Sequence, residues 1–343
     1  MKDIQRILEA YQINATEIVP ITNRVYKIHS HNYTYALKRS RLTKSDIDKW
    51  SYVYQLANQQ QISSILPVYM TRNGQVFYHD NQSVYYVTPW IEKKEIDEPE
   101  HEIDSFYQEL AKLHQQTRQA NDLRSDQLDQ VIYQEKEKMN HARNRLLTFV
   151  ETFEQRHYMS PFELHVCMQY RDIDYVFQQL ADWYDFYLED IESYGHGAYV
   201  LCHGNLRASH KIFQHNKTYF INWERAFYGS PVNDLARYFY NELKYHDSYL
   251  DQFIQSFSIY ERYNPLKQSE RSLLAIYLLT PSNYLRVVEN YHSANNTKAQ
   301  AFQIRELEYQ YRRLMNGLNV QQHFHQIREE LKEQELDQEL EDD

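Results

Sequence analysis

Apolar positions in this chain change their spacing several times. Ile4, Ile7, Leu8 and Tyr11 recur at helical intervals, which predicts a helix over residues 1–17. From Ile18 the pattern alternates. Ile18, Pro20-Ile21, Val25-Tyr26-Lys27-Ile28 and the run from Tyr33 to Leu37 predict three strands, the last ending at Lys38. Ile47, Trp50, Val53, Tyr54 and Leu56-Ala57 return to helical spacing over 45–60. Two short apolar runs, 66–69 and 75–78, flank Arg72-Asn73-Gly74, a hairpin signal. Residues 85–88 read as a buried strand that runs into Pro89-Trp90-Ile91-Glu92.

Beyond residue 100 helical spacing dominates. Helices are expected over 106–117, 132–155, 175–191, 234–245, 250–260, 270–279 and 300–318, with Gly317 as a stop signal. Residues 121–130 are polar and read as loop. The interruption is 199–224. There an apolar run leads to a polar loop, then Ile212-Phe213, a turn near Asn216, and a second apolar run at 219–221. That order predicts strand, loop, strand, turn, strand, and a loop held at strand ends commonly carries chemistry. The fold class expected is α+β, with an antiparallel sheet first and a larger, mainly helical part after it.

Composition changes this picture at few points. Tyrosine numbers 32, against 15 Phe and 4 Trp. The tyrosines either replace Phe at half-buried positions, with the hydroxyl reaching water, or form a contact-rich surface. Net charge is -11, of which residues 329–343 carry -8. The near-neutral remainder offers no general basic face for nucleic acid. No apolar run reaches the length of about 18 residues needed to cross a membrane, and the first residues show no signal-peptide pattern. Cys167 and Cys202 form no framework and no metal spacing. His29/His31 and His323/His325 are paired two apart without an evident third ligand, so no metal site is expected there.

The chemistry-bearing residues are His203-Gly204-Asn205, His210, Asn222-Trp223-Glu224 and Asp234-Leu235-Ala236. Their spacing resembles the catalytic core of the aminoglycoside phosphotransferase and choline kinase-like branch of the protein-kinase fold. That branch carries His-Gly-Asp, an Asn five residues after the Asp, Ile-Asp-Phe/Trp-Glu, and Asp-Leu-Ala. The resemblance implies a two-lobed fold: a lobe of residues 1–91, a helical lobe of 92–320 carrying the loop at 201–224, and an acidic tail from 321. It makes Lys38, in Tyr35-Ala-Leu-Lys38, the phosphate-pairing lysine, and makes Trp90, Ile91 and Glu92 the hinge beside a nucleotide base. His203, Gly204 and Asp234 become the conserved-type structural parts of the motif.

Against that frame the reactive positions are altered. The base Asp is Asn205, the metal-binding Asn is His210 and the metal-binding Asp is Asn222. Phosphoryl transfer of this type needs a carboxylate to accept the substrate proton, and oxygen ligands for Mg²⁺. Asn205 cannot act as a base, Asn222 offers a neutral carbonyl, and a nitrogen at His210 suits Zn²⁺ or Mn²⁺ better than Mg²⁺. The helix at 45–60 contains no Glu to partner Lys38. The expectation is a pseudokinase with no catalytic residues, no metal and no cofactor. The alternative is an active ATP- and Mg-dependent phosphotransferase, acting on a small-molecule or protein hydroxyl through an altered metal site. Within the branch, the Leu-Cys-His-Gly start of the loop, the Leu110-Ala-Lys-Leu-His114 helix and the tyrosine content resemble the CotS/YutH type of spore coat protein. That resemblance implies a cytoplasmic protein of the mother cell, with spore coat proteins as partners and neither nucleic acid nor membrane.

Overall fold

The computed structural model describes residues 2–80, 83–92, 99–119, 125–245, 249–293 and 299–342. They divide into two compact units. The first comprises residues 1–118, 200–229 and 262–264, and the second comprises 119–199, 230–261 and 265–343.

The first unit opens with α1 (Lys2–Ala10), then β1 (Ala15–Pro20), β2 (Val25–Ser30) and β3 (Thr34–Ser40). α2 (Lys44–Gln59) follows, with β4 (Tyr78–His79) and β5 (Val84–Pro89) after it. The strands form an antiparallel sheet in the order β1-β2-β3-β5-β4. Side chains alternate across a strand. Leu37 and Val87 therefore join Ile7, Leu8, Tyr11 and Ile28 in a core beneath α1, each fully buried side chain contributing roughly 1.5–3 kcal/mol. Lys38 and its register partner Tyr86 take the opposite face. There the Tyr86 ring lies 4.9 Å from the indole of Trp50 on α2. Helix α2 begins with a capping box in which Thr43 and Asp46 satisfy each other's backbone donors.

α3 (Pro99–Gln116) buries Phe106, Tyr107, Leu110 and Leu113 completely. It supports the loop strands: Thr117 Oγ1, just past its end, accepts from the Leu201 amide at 3.0 Å. β6 (Val200–Cys202) pairs with β9 (Phe227–Gly229), and β7 (Lys211–Gln214) with β8 (Lys217–Phe220). The turn expected near Asn216 joins β7 to β8, with His215 and Asn216 both at positive φ. The hairpin expected across Arg72-Asn73-Gly74 is a turn only. Thr71 and Gln75 close it, but the Tyr69 amide is spent on Val87 of β5, and β4 pairs with β5 as well.

The second unit is built from helices: α4 (Ser125–Glu154), α5 (Pro161–Tyr194), α6 (Val232–Glu242), most of α7 (Leu250–Tyr263), α8 (Gln268–Leu279), α9 (Ser282–His292) and α10 (Gln300–Asp342). Helix α4 takes in residues 125–130, which the polar pattern assigns to loop; 121–124 lie outside the described residues. Helix α5 starts well before the expected residue 175. Ser160 and Glu163 form a capping box, and Pro161 occupies the first turn, where its missing N–H costs nothing.

Two expectations about the C-terminal region are corrected. Gly317 does not stop α10. It lets α10 approach α8 closely, since a Cβ there would sit 3.0 Å from the Leu278 carbonyl oxygen. Nor does a loose tail begin at 321. Gln321, Phe324 and Arg328 are buried, while residues 329–334 are exposed. Packing therefore continues to 328. The compact units also cross the expected lobe boundary at 91/92, because α3 and the loop strands group with the sheet.

Candidate functional site

Lys38, Asn205, His210 and Asn222 all belong to the first unit, and the structure joins them into one network. Lys38 projects from the α2 face of the sheet, and its Nζ donates to Asn222 Oδ1. The same ammonium lies 3.0 Å from Glu224 Oε1. Tyr86 Oη also donates to that oxygen, at 3.3 Å. Burial lowers the Lys38 ammonium below its ordinary value, Glu224 raises it back, and Arg207 lowers it again.

Glu224 is thus the partner that the sequence reading did not find for Lys38. Helix α2 brings Trp50 to Tyr86 instead of a carboxylate, and the acid comes from a 3₁₀ turn, Trp223–Arg225. Asn222 caps that turn in the left-handed conformation, φ 70°, which Asn tolerates better than most residues. The turn is anchored by Trp223, buried, whose indole donates to the Phe220 carbonyl at 3.1 Å.

The loop after β6 is held from inside. His203 is fully buried; its Nε2 donates to the Ile221 carbonyl at 2.8 Å, and its Nδ1 accepts from the Asn205 amide at 3.2 Å. Gly204 has φ 73°, and a Cβ there would meet the Arg225 carbonyl oxygen at 2.1 Å, so only glycine fits. The Ile221 amide donates to the His210 carbonyl at 3.0 Å, tying the loop to the strand that carries Asn222.

Both ring nitrogens of His210 are engaged. Nδ1 donates to the Asn205 carbonyl at 2.8 Å. Nε2 accepts from Arg207 Nε at 3.1 Å and Nη2 at 2.9 Å. The ring is therefore neutral, and burial, with Arg207 and His203 next, pushes its pKa down to about 3. Arg207, which the sequence reading passed over, is the residue that fixes this tautomer. Its only signal in the sequence is a charge inside the loop frame, two places after Asn205.

The shift has a sign. An unfolded His titrates near 6.5, so below that pH the unfolded chain binds a proton that the native ring refuses. Stability supplied by neutral His210 is complete above about pH 6.5 and is lost as pH falls toward the folded value. Between about pH 7.5 and 5 the wild-type chain should lose up to about 2 kcal/mol more than His210→Asn, read from urea midpoints. Parallel acid slopes for the two proteins would show that the ring is not held neutral.

These residues do not fit Mg²⁺. Oxygen-rich octahedral coordination is what that ion demands. Asn222 Oδ1 is taken by Lys38, both His210 nitrogens are taken, and Glu224 is bonded to Lys38 and Tyr86. Among the described residues no group of three or more His, Cys, Asp or Glu is arranged to hold a metal. Of the expected hinge, the Trp90 amide is spent on the Thr34 carbonyl at 3.0 Å, and Glu92 pairs with Lys27 at 2.5 Å. Ile91 is half-buried between them. Asp234 lies buried in the first turn of α6, in the second unit.

A model of the phosphotransferase enzyme family matches residues 18–266. No curated protein matches the sequence. Among solved structures, an aminoglycoside phosphotransferase from Alicyclobacillus acidocaldarius superposes with a TM-score of 0.71 at 14% identity, covering 95% of this chain and 96% of its own. A spectinomycin phosphotransferase bound to AMP gives 0.57 at 11% identity, covering 92% and 97%. An amicoumacin kinase in complex with AMP-PNP and Ca²⁺ gives 0.56 at 15% identity, covering 95% and 96%. At such identities the likeness establishes the fold: a kinase-like fold, with a small antiparallel sheet lobe and a mostly helical lobe. No helix among the described residues is long and apolar enough to cross a membrane.

Proposed function

This chain belongs to the phosphotransferase enzyme family, and within it we propose a pseudokinase, a binding protein on a kinase scaffold that transfers no phosphoryl group. One observation carries the reading. The three positions that would supply base and metal ligands hold neutral side chains, and two of the three, Asn222 and His210, are committed to protein partners. A base needs a free pair on a group of suitable pKa, and an amide has none. The carboxylate of the pocket, Glu224, is held by Lys38 and by the Tyr86 hydroxyl. Meanwhile the scaffold around the lost chemistry is intact: His203, Gly204 and Trp223 are all buried or sterically fixed in their roles.

Features away from the loop support a binding role. An apolar groove between α2 and β9 is lined by Tyr52, Val53, Leu201, Phe227 and Tyr228. Tyrosine occurs in both environments: Tyr107, Tyr238 and Tyr260 are fully buried, not half-buried with a hydroxyl in water, while Tyr33, Tyr158 and Tyr249 are well exposed and open to contacts. The partners proposed are spore coat proteins, and the place is the mother-cell cytoplasm at the assembling coat. This finer assignment rests on the sequence resemblance of the loop start and the 110–114 helix. Absence of the protein from purified spore coats would remove it.

The test of the central reading is ADP formation by the purified chain with ATP and Mg²⁺ or Mn²⁺, run beside Lys38→Ala. The expected result is no turnover above the Lys38→Ala background. Metal-dependent turnover that disappears in Lys38→Ala would replace the pseudokinase with an active phosphotransferase.

A further inference from the structure

The charge of the pocket points the opposite way from a metal site. A site that recruits Mg²⁺ presents carboxylates, whose negative charge the ion offsets. Here Asn205 and Asn222 are neutral by chemistry and His210 by its hydrogen bonds. Among the described residues of this network, what remains charged is Lys38, Arg207 and one acid, Glu224, so the network carries net positive charge without any ion.

Arg207 is placed to use that charge. Its guanidinium has five N–H donors in a fixed plane. One on Nε and one on Nη2 are spent on His210, which holds the plane in one orientation. The other donors lie on an exposed side chain. Among the described residues Arg207 joins no ion pair. His210 is in turn fixed by the Asn205 carbonyl and, through its own carbonyl, by the Ile221 amide next to Asn222. Lys38 is fixed at the other end of the same network by Asn222 and Glu224. Arg207 lies close enough to Lys38 to lower its pKa, and a planar guanidinium beside a lysine matches paired phosphate oxygens.

We propose that Lys38 and Arg207 form a metal-independent binding site for a condensed phosphate chain, with Arg207 supplying the positive charge that a divalent cation supplies in an active kinase. The site rests on the pseudokinase reading, and it binds such a ligand without consuming it. Two sources share the chemistry, a nucleoside triphosphate and an inorganic polyphosphate. In both, Mg²⁺ competes with the protein for the phosphate oxygens, so the metal loosens binding here.

Calorimetric titration of the full chain with ATP and with inorganic tripolyphosphate, first in EDTA and then in excess Mg²⁺, tests this. Both ligands should bind in EDTA, and Mg²⁺ should weaken them several-fold. Loss of one charge-assisted contact in Arg207→Gln should weaken binding in EDTA by about 10- to 100-fold. Arg207→Lys, which keeps the charge and loses the fork, should fall between. Because Arg207 is exposed, an unchanged circular dichroism spectrum is expected for both variants. Binding of ATP alone would support the site and add the base at the hinge; equal binding of both assigns recognition to the phosphates. Silence in EDTA, a requirement for Mg²⁺, or an unchanged affinity in Arg207→Gln would overturn the proposal. The two readings fail separately. Metal-dependent turnover removes the pseudokinase, whereas no binding in EDTA with no turnover removes only this site.

Discussion

Arg328→Ala should destabilise the chain by about 3–5 kcal/mol, the usual consequence of stranding one member of a buried ion pair. Arg328 Nη1 donates to Asp190 Oδ1 at 2.6 Å, with side chains 5% and 2% exposed. Ser272 Oγ donates to the other carboxylate oxygen at 2.5 Å, and the guanidinium lies over the Phe186 ring at 4.4 Å. Without Arg328 the Asp190 charge keeps one hydroxyl and no cation. In melting temperature the loss is on the order of 10 °C. Arg328→Met combined with Asp190→Leu should recover much of it, because an apolar pair of similar volume needs no compensation.

The same contact decides where the chain can be cut. Deleting residues 329–343 removes a self-repelling acidic run, exposed over 329–334, and should leave the melting temperature nearly unchanged. Deleting from 321 also removes Arg328, the fully buried Phe324 and Gln321, whose Oε1 accepts from the Trp183 indole at 2.7 Å. That chain should not reach the native state. Differential scanning calorimetry of the two truncations separates the cases. Equal stability would mean that α10 beyond 320 is not docked.

This boundary shows why part of the fold was not legible in the sequence. Residues 321–328 carry only two strong apolar side chains, Phe324 and Ile327, amid Gln, His and Arg, so neither spacing nor composition marks them firmly as core. Their burial depends on Asp190 and Trp183, more than 130 positions away in the chain. Gly317 misled for a related reason: a glycine needed for close helix approach is indistinguishable, locally, from one that ends a helix. By contrast β2, β3 and the loop around His203 were legible, because alternation and fixed spacing are local, while β1 begins at Ala15, inside the stretch that the apolar spacing assigns to a helix. In the site, the frame residues were legible and their engagement was not. The Lys38–Glu224 pair spans sheet and loop, and the bonds to His210 depend on where one arginine turns. A histidine that sequence presents as a nitrogen ligand is, in the folded chain, a satisfied spacer between Arg207 and the Asn205 carbonyl.

Reversal of the three altered positions should reverse the sign of the metal effect. In Asn205→Asp/His210→Asn/Asn222→Asp, Mg²⁺ should tighten ATP binding by about tenfold or more, roughly 1.4 kcal/mol, where it loosens binding in the parent chain. The reasoning follows the charges. Asp at 222 puts a carboxylate beside Lys38, and Asp at 205 adds a second at the loop. Asn at 210 gives an oxygen ligand and releases the Arg207 fork from the ring. Together with Glu224 they convert a cationic pocket into one with three acids and a carbonyl, the oxygen set that a hard divalent ion favours. Single reversions should each move the metal effect little, since one carboxylate among engaged neighbours makes no coordination sphere, and groups that act as a unit are strongly non-additive. Phosphoryl transfer should lag behind binding, because the triple change restores nothing at the site of an acceptor. Titration of ATP into the parent, the three single variants and the triple variant, each in EDTA and in Mg²⁺, measures the effect directly. If Mg²⁺ still weakens binding to the triple variant, then substitution at these three positions is not what separates this pocket from a metal-dependent one, and the cause lies in Glu224 and the aromatic wall of Trp50 and Tyr86.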